Sequence, residues 1–311
     1  MIYKMKKKSE INISIVILNF NSHEFTINCL KSIELSIDKY LEYEIIVVDN
    51  GSNINDFKLL NQKIEKNSYR LNIKVLRNKT NLGFGGGNMI GAKESIGKYI
   101  AFINNDTLLL NNCFNILFDF MEKNPKVALC GPQGYDSNKK SISSFNNFFS
   151  IKKLFFGRKF LELISPKKFP RIKKVYHEPL VVDYVEGSFM FFKAKYFRLI
   201  NGFDQNIFLY YEETDVGIRL RNLGLLTYLI PKAKYIHFKG GSTKRSIQIK
   251  KELKISLFYV IMKHYSKTTL YIVWIYFLVR YFIRIPFKPS YWILFKNILY
   301  FTPKSNSIRN N

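Results

Sequence analysis

The chain is short of cysteine, of acid and of long apolar runs, and each shortage removes a class of protein. Three cysteines, Cys29, Cys113 and Cys130, are scattered through apolar contexts. That odd set excludes a disulfide framework and reads as reduced thiols of a cytoplasmic protein. No zinc-ligand spacing, RNA-binding signature or recognition-helix pattern is found, so nucleic acid is not an expected partner. The basic segment Met1 to Lys8 leads into a short strand and not into a long apolar stretch with a small-residue cleavage site, so no signal peptide is expected. The apolar run Leu270 to Val279 is ended by Arg280, well short of the ~20 residues that a bilayer-spanning helix needs. No internal repeat or low-complexity linker breaks the chain.

The shortage of acid is uneven. Lys and Arg number 49 against 23 Asp and Glu, a net charge of +26, which calls for an anionic partner: nucleic acid, lipid headgroups or an acidic polymer. Residues 139–174 carry eleven Lys or Arg and one acid, interleaved with Phe148, Phe149, Phe155, Phe156 and Phe160, and no acid follows Glu252. Aromatic residues at headgroup level with basic residues facing anionic lipid suit an interfacial helix pair in the tail. The competing reading is a tail packed on the rest of the protein or on a second copy.

What is present is a series of strands that end in polar turns. Ile100 to Thr107 runs from an apolar strand into Asn104-Asn105-Asp106, whose oxygens can hold Mg2+ or Mn2+ or can form a solvated turn. Upstream, Tyr43 to Val48 ends in Asp49-Asn50-Gly51-Ser52. An acid at the carboxyl end of a strand can read a ribose or a base N–H, or cap the next helix. A strand from Asn72 to Leu76 leads into Asn81-Leu82-Gly83-Phe84-Gly85-Gly86-Gly87-Asn88 and a helix to about Gly97. Those glycines permit close backbone approach, but the pattern lacks the last glycine of a dinucleotide fingerprint and follows the wrong strand. A weaker sheet-like run from Val181 to Phe192 is interrupted at Glu186-Gly187-Ser188 and followed by Gly202-Phe203-Asp204. Glu212, Glu213 and Asp215 then crowd three carboxylates together, either as a general base or metal site or as the acidic start of a helix. His237 lies in an apolar run, as a core residue or a ligand.

Taken in order, Val-Val-Asp-Asn-Gly-Ser, Asn-Leu-Gly-Phe-Gly-Gly-Gly-Asn, Asn-Asn-Asp-Thr, Gly-Phe-Asp, Glu-Glu-Thr-Asp with Arg219, and His237 resemble family 2 glycosyltransferases of the GT-A fold, in their rhamnosyltransferase-like branch, over about residues 11–245. The resemblance implies an α/β, Rossmann-like domain with a mostly parallel mixed sheet and helices on both faces. It would span 11–245 with a basic insertion at 139–174, between a basic arm at 1–10 and a helical, membrane-associating tail at 246–311. It implies nucleotide-sugar contacts at Asn19, Asn21, Asp49, Asn50, Asn81, Gly83, Asn88, Asn104 and Asn105. A divalent cation, Mn2+ or Mg2+, would sit on Asp106, with Asn104 weaker and His237 as a third ligand. Glu213 would be the catalytic base, with Glu212 or Asp215 as substitutes, and Gly187, Ser188 and Arg219 would face the acceptor. The expected reaction is inverting transfer of a sugar, first L-rhamnose from a dTDP donor, to a glycan or lipid-linked acceptor at the cytoplasmic membrane face. A UDP-hexose or galactofuranose transferase, or an inactive binding or scaffold relative, is the alternative.

Overall fold

The computed structural model describes residues 11–38, 40–66, 72–238 and 246–310; the basic arm 1–10 and the junction 239–245 lie outside the described residues. Strands and helices alternate first: β1 (Ile13–Asn19), α1 (His23–Ser36), β2 (Tyr43–Asp49), α2 (Ile54–Lys66), β3 (Ile73–Arg77), α3 (Gly83–Glu94) and β4 (Tyr99–Asn104). Each helix returns the chain to the same end of the sheet, so β3, β2, β1 and β4 lie side by side and parallel. β1, β2 and β4 are nearly continuous apolar runs because both faces are covered.

Then follow β5 (Thr107–Leu109), α4 (Cys113–Lys123), β6 (Val127–Tyr135), β7 (Phe145–Asn146), α5 (Ile151–Phe156), α6 (Arg158–Ile164), β8 (Leu180–Val182), β9 (Tyr184–Val185), β10 (Phe189–Lys193), α7 (Ala194–Leu199), α8 (Glu212–Asn222) and β11 (Leu226–His237). The sheet continues from β4 through β10, β6 and β11 to β5. β10 runs antiparallel to both β4 and β6, which makes the sheet mixed. The basic insertion holds β7, paired with β9, and the short helices α5 and α6.

Side-chain alternation along the strands separates two cores. Ile13, Ile15 and Ile17 face α1 and α4, with Leu30 and Phe114, while Val16, Ile46 and Val48 face α3, α7 and α8, with Ala92, Phe197 and Val216. α3 can lie this close because Gly91 has no side chain: a Cβ there would stand 2.4 Å from a methyl of Val16. The three cysteines are buried and unpaired.

The tail forms three helices, α9 (Ile247–His264), α10 (Lys267–Phe282) and α11 (Tyr291–Leu299), not two. Ser246 and Ser266 cap the first two by accepting from the backbone N–H of Ile249 and Thr269. Phe258, Ile261, Val273 and Ile298 bury a third core between them. α9 docks against α8, and its Ser256 hydroxyl donates to the Leu209 carbonyl. The Glu252 carboxylate, the last acid of the chain, accepts from Ser307 and from the Ile308 amide, tying the C-terminal segment back onto α9. Among the described residues no helix is long and apolar enough to cross a membrane.

Candidate active site

The carboxyl ends of β1 and β2 meet in a buried polar network. The Asn19 amide donates to Asp49 Oδ1 (3.0 Å), the Ser52 hydroxyl (3.2 Å) and Asp56 Oδ2 (3.0 Å), and its carbonyl accepts from Thr26. Asp49 is fully buried, with Arg77 Nε 3.4 Å from Oδ2, an oxygen that accepts no hydrogen bond. Of the expected nucleotide contacts at this end only Asn21 is exposed, and its side-chain oxygen accepts from the Asn53 backbone and side chain. Asp56 and His23 were not singled out by the sequence motifs. His23 Nδ1 lies 2.7 Å from Asp56 Oδ1. Burial would raise the Asp56 carboxyl, but hydrogen bonds from Asn19 and His23 outweigh it and hold it below its ordinary range.

The glycine-rich turn is held by Asn50, whose amide donates to Asn81 Oδ1 and the Gly83 carbonyl and whose oxygen accepts from Asn78 and the Leu82 amide. Gly83 has φ +77°, and a Cβ there would fall 2.0 Å from the Phe208 carbonyl oxygen, which also accepts from the Phe84 amide. The close approach expected of this turn is thus to another segment of chain, the one that leads into α8. Asn88 is buried, donates to the Phe84 carbonyl and keeps its own oxygen without a hydrogen bond.

At the β4–β5 turn the Asp106 carboxylate lies 3.1 Å from His237 Nε2 at the end of β11. β5 and β11 pair with Thr107 opposite His237, and this register brings the two side chains together. His237 Nδ1 is buried without a hydrogen bond. Asp106 Oδ1 and His237 Nε2, an oxygen and a nitrogen donor at this spacing, suit a divalent cation that takes further ligands from a bound molecule. Among the described residues no three His, Cys, Asp or Glu side chains converge as a closed metal cage. Asn105 is turned the other way: its amide donates to Ser22 and Thr26 at the start of α1.

The acidic cluster begins α8 and is preceded by Tyr210 and Tyr211 at φ +70° and +71°. Two successive bulky residues in the left-handed region are strained, and such strain persists only where the surroundings impose it. Glu212 is buried, packed near Gly85, while Glu213 stays partly accessible. Burial, then the negative charge of Glu186, push the Glu213 carboxyl up to about 7. Burial, then the charge of Glu213, raise Glu212 well above the carboxylate range, so Glu212 holds the proton and donates it to Glu213. Glu186, in the turn between β9 and β10, accepts from the Ser143 hydroxyl at 2.9 Å.

Three sequence expectations are corrected by what these side chains already do. Asp215 is fully buried in a cationic nest: Arg219 Nε and Nη2 donate to Oδ2 at 2.9 and 2.6 Å, and Lys263 and His264 each stand 2.7 Å from Oδ1. Burial would raise its carboxyl, but His264, Arg219 and Lys263 outweigh that and hold it low, so it cannot serve as a substitute base. Arg219 spends its guanidinium on Asp215 and the Ile200 carbonyl and does not face an acceptor. Ser188 is buried, sharing a 2.6 Å hydrogen bond with the Tyr235 hydroxyl.

Comparison with known proteins identifies this arrangement. The fold is a GT-A-like α/β fold: a crystal structure of GalNAc-T7 with UDP, GalNAc and Mn2+ matches 82% of this chain and 48% of its own length, with TM-score 0.60 at 14% identity. Residues 14–197 match the model of glycosyl transferase family 2, and the chain belongs to that family. The rhamnosyltransferase WbbL of Escherichia coli K12 is 28% identical over 144 residues, 45% of this chain and 52% of WbbL. The N-acetylglucosaminyl-diphospho-decaprenol L-rhamnosyltransferase of Mycobacterium tuberculosis is 36% identical over 64 residues, 21% of either chain. The aligned portion thus covers about half or less of these relatives.

Proposed function

We propose that the protein is an inverting glycosyltransferase that moves a sugar, first L-rhamnose from a dTDP donor, onto a growing lipid-linked glycan at the cytoplasmic face of the membrane. The observation that carries this reading is Glu213: a partly accessible carboxyl on the strained entry to α8, pushed up to about 7 by burial and by the charge of Glu186. Poised there, Glu213 takes the proton from an acceptor hydroxyl as that oxygen attacks the anomeric carbon. A single displacement from the face opposite the nucleotide inverts configuration. Glu212 steadies the base by hydrogen bonding, and its own burial keeps it neutral.

The donor lies along the carboxyl ends of β1, β2 and β4. Asn21 faces the nucleotide, with Asp49 buried beneath it beside Arg77 and Asn50 and Asn81 shaping the turn beneath the diphosphate. Asp106 and His237, with Asn104 beside them, would hold Mn2+ or Mg2+, which when bound offsets the charge on the departing nucleoside diphosphate. The names of the relatives support rhamnose and a diphospho-polyprenol acceptor as the first substrates to try. The basic, aromatic faces of α5, α6, α10 and α11 provide membrane association: Phe155, Phe156, Trp292 and Phe282 are all more than half exposed.

Melting-temperature shifts and turnover with dTDP-rhamnose, UDP-hexoses and UDP-galactofuranose, with Mn2+ and in excess chelator, test this. The largest stabilisation and transfer are expected with dTDP-rhamnose and Mn2+. Turnover with another nucleotide sugar would change the donor, and no nucleotide sugar bound or turned over would leave a binding or scaffold protein.

A further inference from the structure

Where α9, α10 and α11 meet α5, the surface sinks into a pocket of about 400 Å3. Its walls carry five cations, Lys153, Lys250, Lys254, Arg280 and Arg284, and no carboxylate lines it among the described residues. Lys153 donates to the Asn147 carbonyl and feels the charges of Asp183 and Glu186, so four positive charges are gathered without a carboxylate partner, which is costly unless an anion joins them. The tail cannot supply that anion, since no acid follows Glu252 and Glu252 is committed to Ser307 and Ile308.

Aromatic rings hold the cations in place instead. Lys254 Nζ sits 3.9 Å above the centre of the Phe277 ring, and Lys250 and Arg284 lie over the Tyr291 ring at 5.6 and 5.8 Å. Arg280 hydrogen-bonds the Tyr276 hydroxyl. Burial, with Arg280 adding to it, takes the Lys254 ammonium down to about 7, the mark of a cation that lacks its counter-ion.

Two neighbours give the pocket direction. On one side Tyr276 and Arg280 also line an apolar groove of about 490 Å3, whose other walls are Phe155, Ile272, Ile275 and Val279. On the other side Tyr281, a wall of the basic pocket, belongs to the core of the tail helices, and Tyr211, two residues before Glu213, packs against that same core. The basic pocket therefore stands between an apolar groove open to the surface and the strained turn that presents Glu213.

We infer that this pocket binds the phosphate or diphosphate of a lipid-linked acceptor, with the lipid chain in the groove along α10 and the acceptor sugar directed past Tyr211 toward Glu213. This rests on the glycosyltransferase reading and adds to it the seat of the acceptor's anionic group, built mostly from tail helices that follow the part of the chain matching the family model. The charge selects a phosphate ester, and the groove selects an ester with a long apolar chain over free phosphate.

The test is flotation of the full-length protein with phosphatidylcholine vesicles doped with polyprenyl phosphate, against vesicles carrying equal charge as phosphatidylglycerol, with inorganic pyrophosphate as a soluble competitor. Tighter binding to the polyprenyl phosphate vesicles, relieved by pyrophosphate, is expected. Lys254→Gln with Arg280→Gln should abolish the preference. Because Lys254 packs on Phe277, the exposed pair Lys250→Gln with Arg284→Gln is made as well, each change expected to cost about fivefold in vesicle affinity. Equal binding to both vesicle types, or a preference that survives both double variants, would overturn the inference and leave a generic anionic surface. Pyrophosphate bound as tightly as the lipid, with no vesicle preference, would remove the groove from it. Nucleotide-sugar binding by the wild-type protein, followed by melting temperature, is measured alongside: if it is absent the glycosyltransferase reading fails, and if it is present while the vesicle preference is absent only the pocket fails.

Discussion

Glu213 and Asp215 stand two residues apart on the first turn of α8, and their carboxyls are driven in opposite directions. Asp215 turns into a nest of Arg219, Lys263 and His264 and is held as a carboxylate. Glu213 turns toward Glu186 and Glu212, and its proton is held up to about 7. Burial opposes ionisation at both, so burial alone does not separate them. The difference lies in whether cations or further acids complete the surroundings. The same contrast holds on a larger scale between this acidic cluster and the cation-lined pocket. α8 thus carries a structural anion beside the proposed base, and either can be removed without the other.

The sharpest way to break the comparison is Glu213→Gln, which keeps size and hydrogen bonding but removes basicity. Transfer should fall about 10² to 10⁴-fold with donor binding retained. Steady-state turnover beside donor-induced melting shifts checks this, and Glu212→Gln should cost less. A larger loss from Glu212→Gln would move the base to that residue.

Asp215→Ala should act on the fold. It leaves Arg219 and His264 without their carboxylate and Lys263 with Asp204 alone, at a cost of about 3–5 kcal/mol. Denaturant unfolding would show it, with α9 losing its hold on α8. A stable Asp215→Ala protein with impaired transfer would show that the residue acts in catalysis after all.

The strand-end motifs were legible before the structure because their chemistry is local: Asp49 and Asp106 each lie at the end of an apolar run that can only be a buried strand. The role of Asp215 was not legible, because two of its partners, Lys263 and His264, come from a distant helix, and only the docking of α9 assembles them. Nor was the purpose of Gly83, since close approach is equally useful to a ligand and to the Phe208 carbonyl, and sequence does not distinguish the two. The tail read as apolar and basic without showing that its helices build a core of their own, because its apolar residues serve two faces at once: Phe258 and Ile298 point inward, while Phe282 and Trp292 point outward. Asn105 looked equivalent to Asn104 until the turn fixed which of them faces α1.

The two acids should also leave opposite marks on pH dependence. Glu213 binds its proton more tightly folded than unfolded, so its contribution to stability is present at low pH and is lost as pH rises from about 4.5 to about 7. Asp215 is lowered on folding, so its contribution is present at neutral pH and is lost as pH falls through the acid range. Melting temperature against pH should therefore rise on the alkaline side in Glu213→Gln relative to wild type and should lose its acid-side dependence in Asp215→Asn. Equal alkaline melting of wild type and Glu213→Gln would mean that Glu213 is not held protonated.

The smallest effect expected is also the most specific. Glu186→Gln removes the like charge that raises Glu213 while keeping a side-chain oxygen for the Ser143 hydroxyl. With that charge gone, Glu213 ionises more readily, and the acid limb of the rate against pH should move to lower pH. The sign is fixed: a neighbouring anion disfavours a second one, and neutralising it lowers the pKa of the first. The rate on the alkaline plateau should fall modestly, since a weaker base accepts the acceptor's proton less well. A limb that stays in place would mean that burial alone holds Glu213 near 7, and a limb that moves to higher pH would show that Glu186 acts through positioning of the turn before β10 and not through its charge.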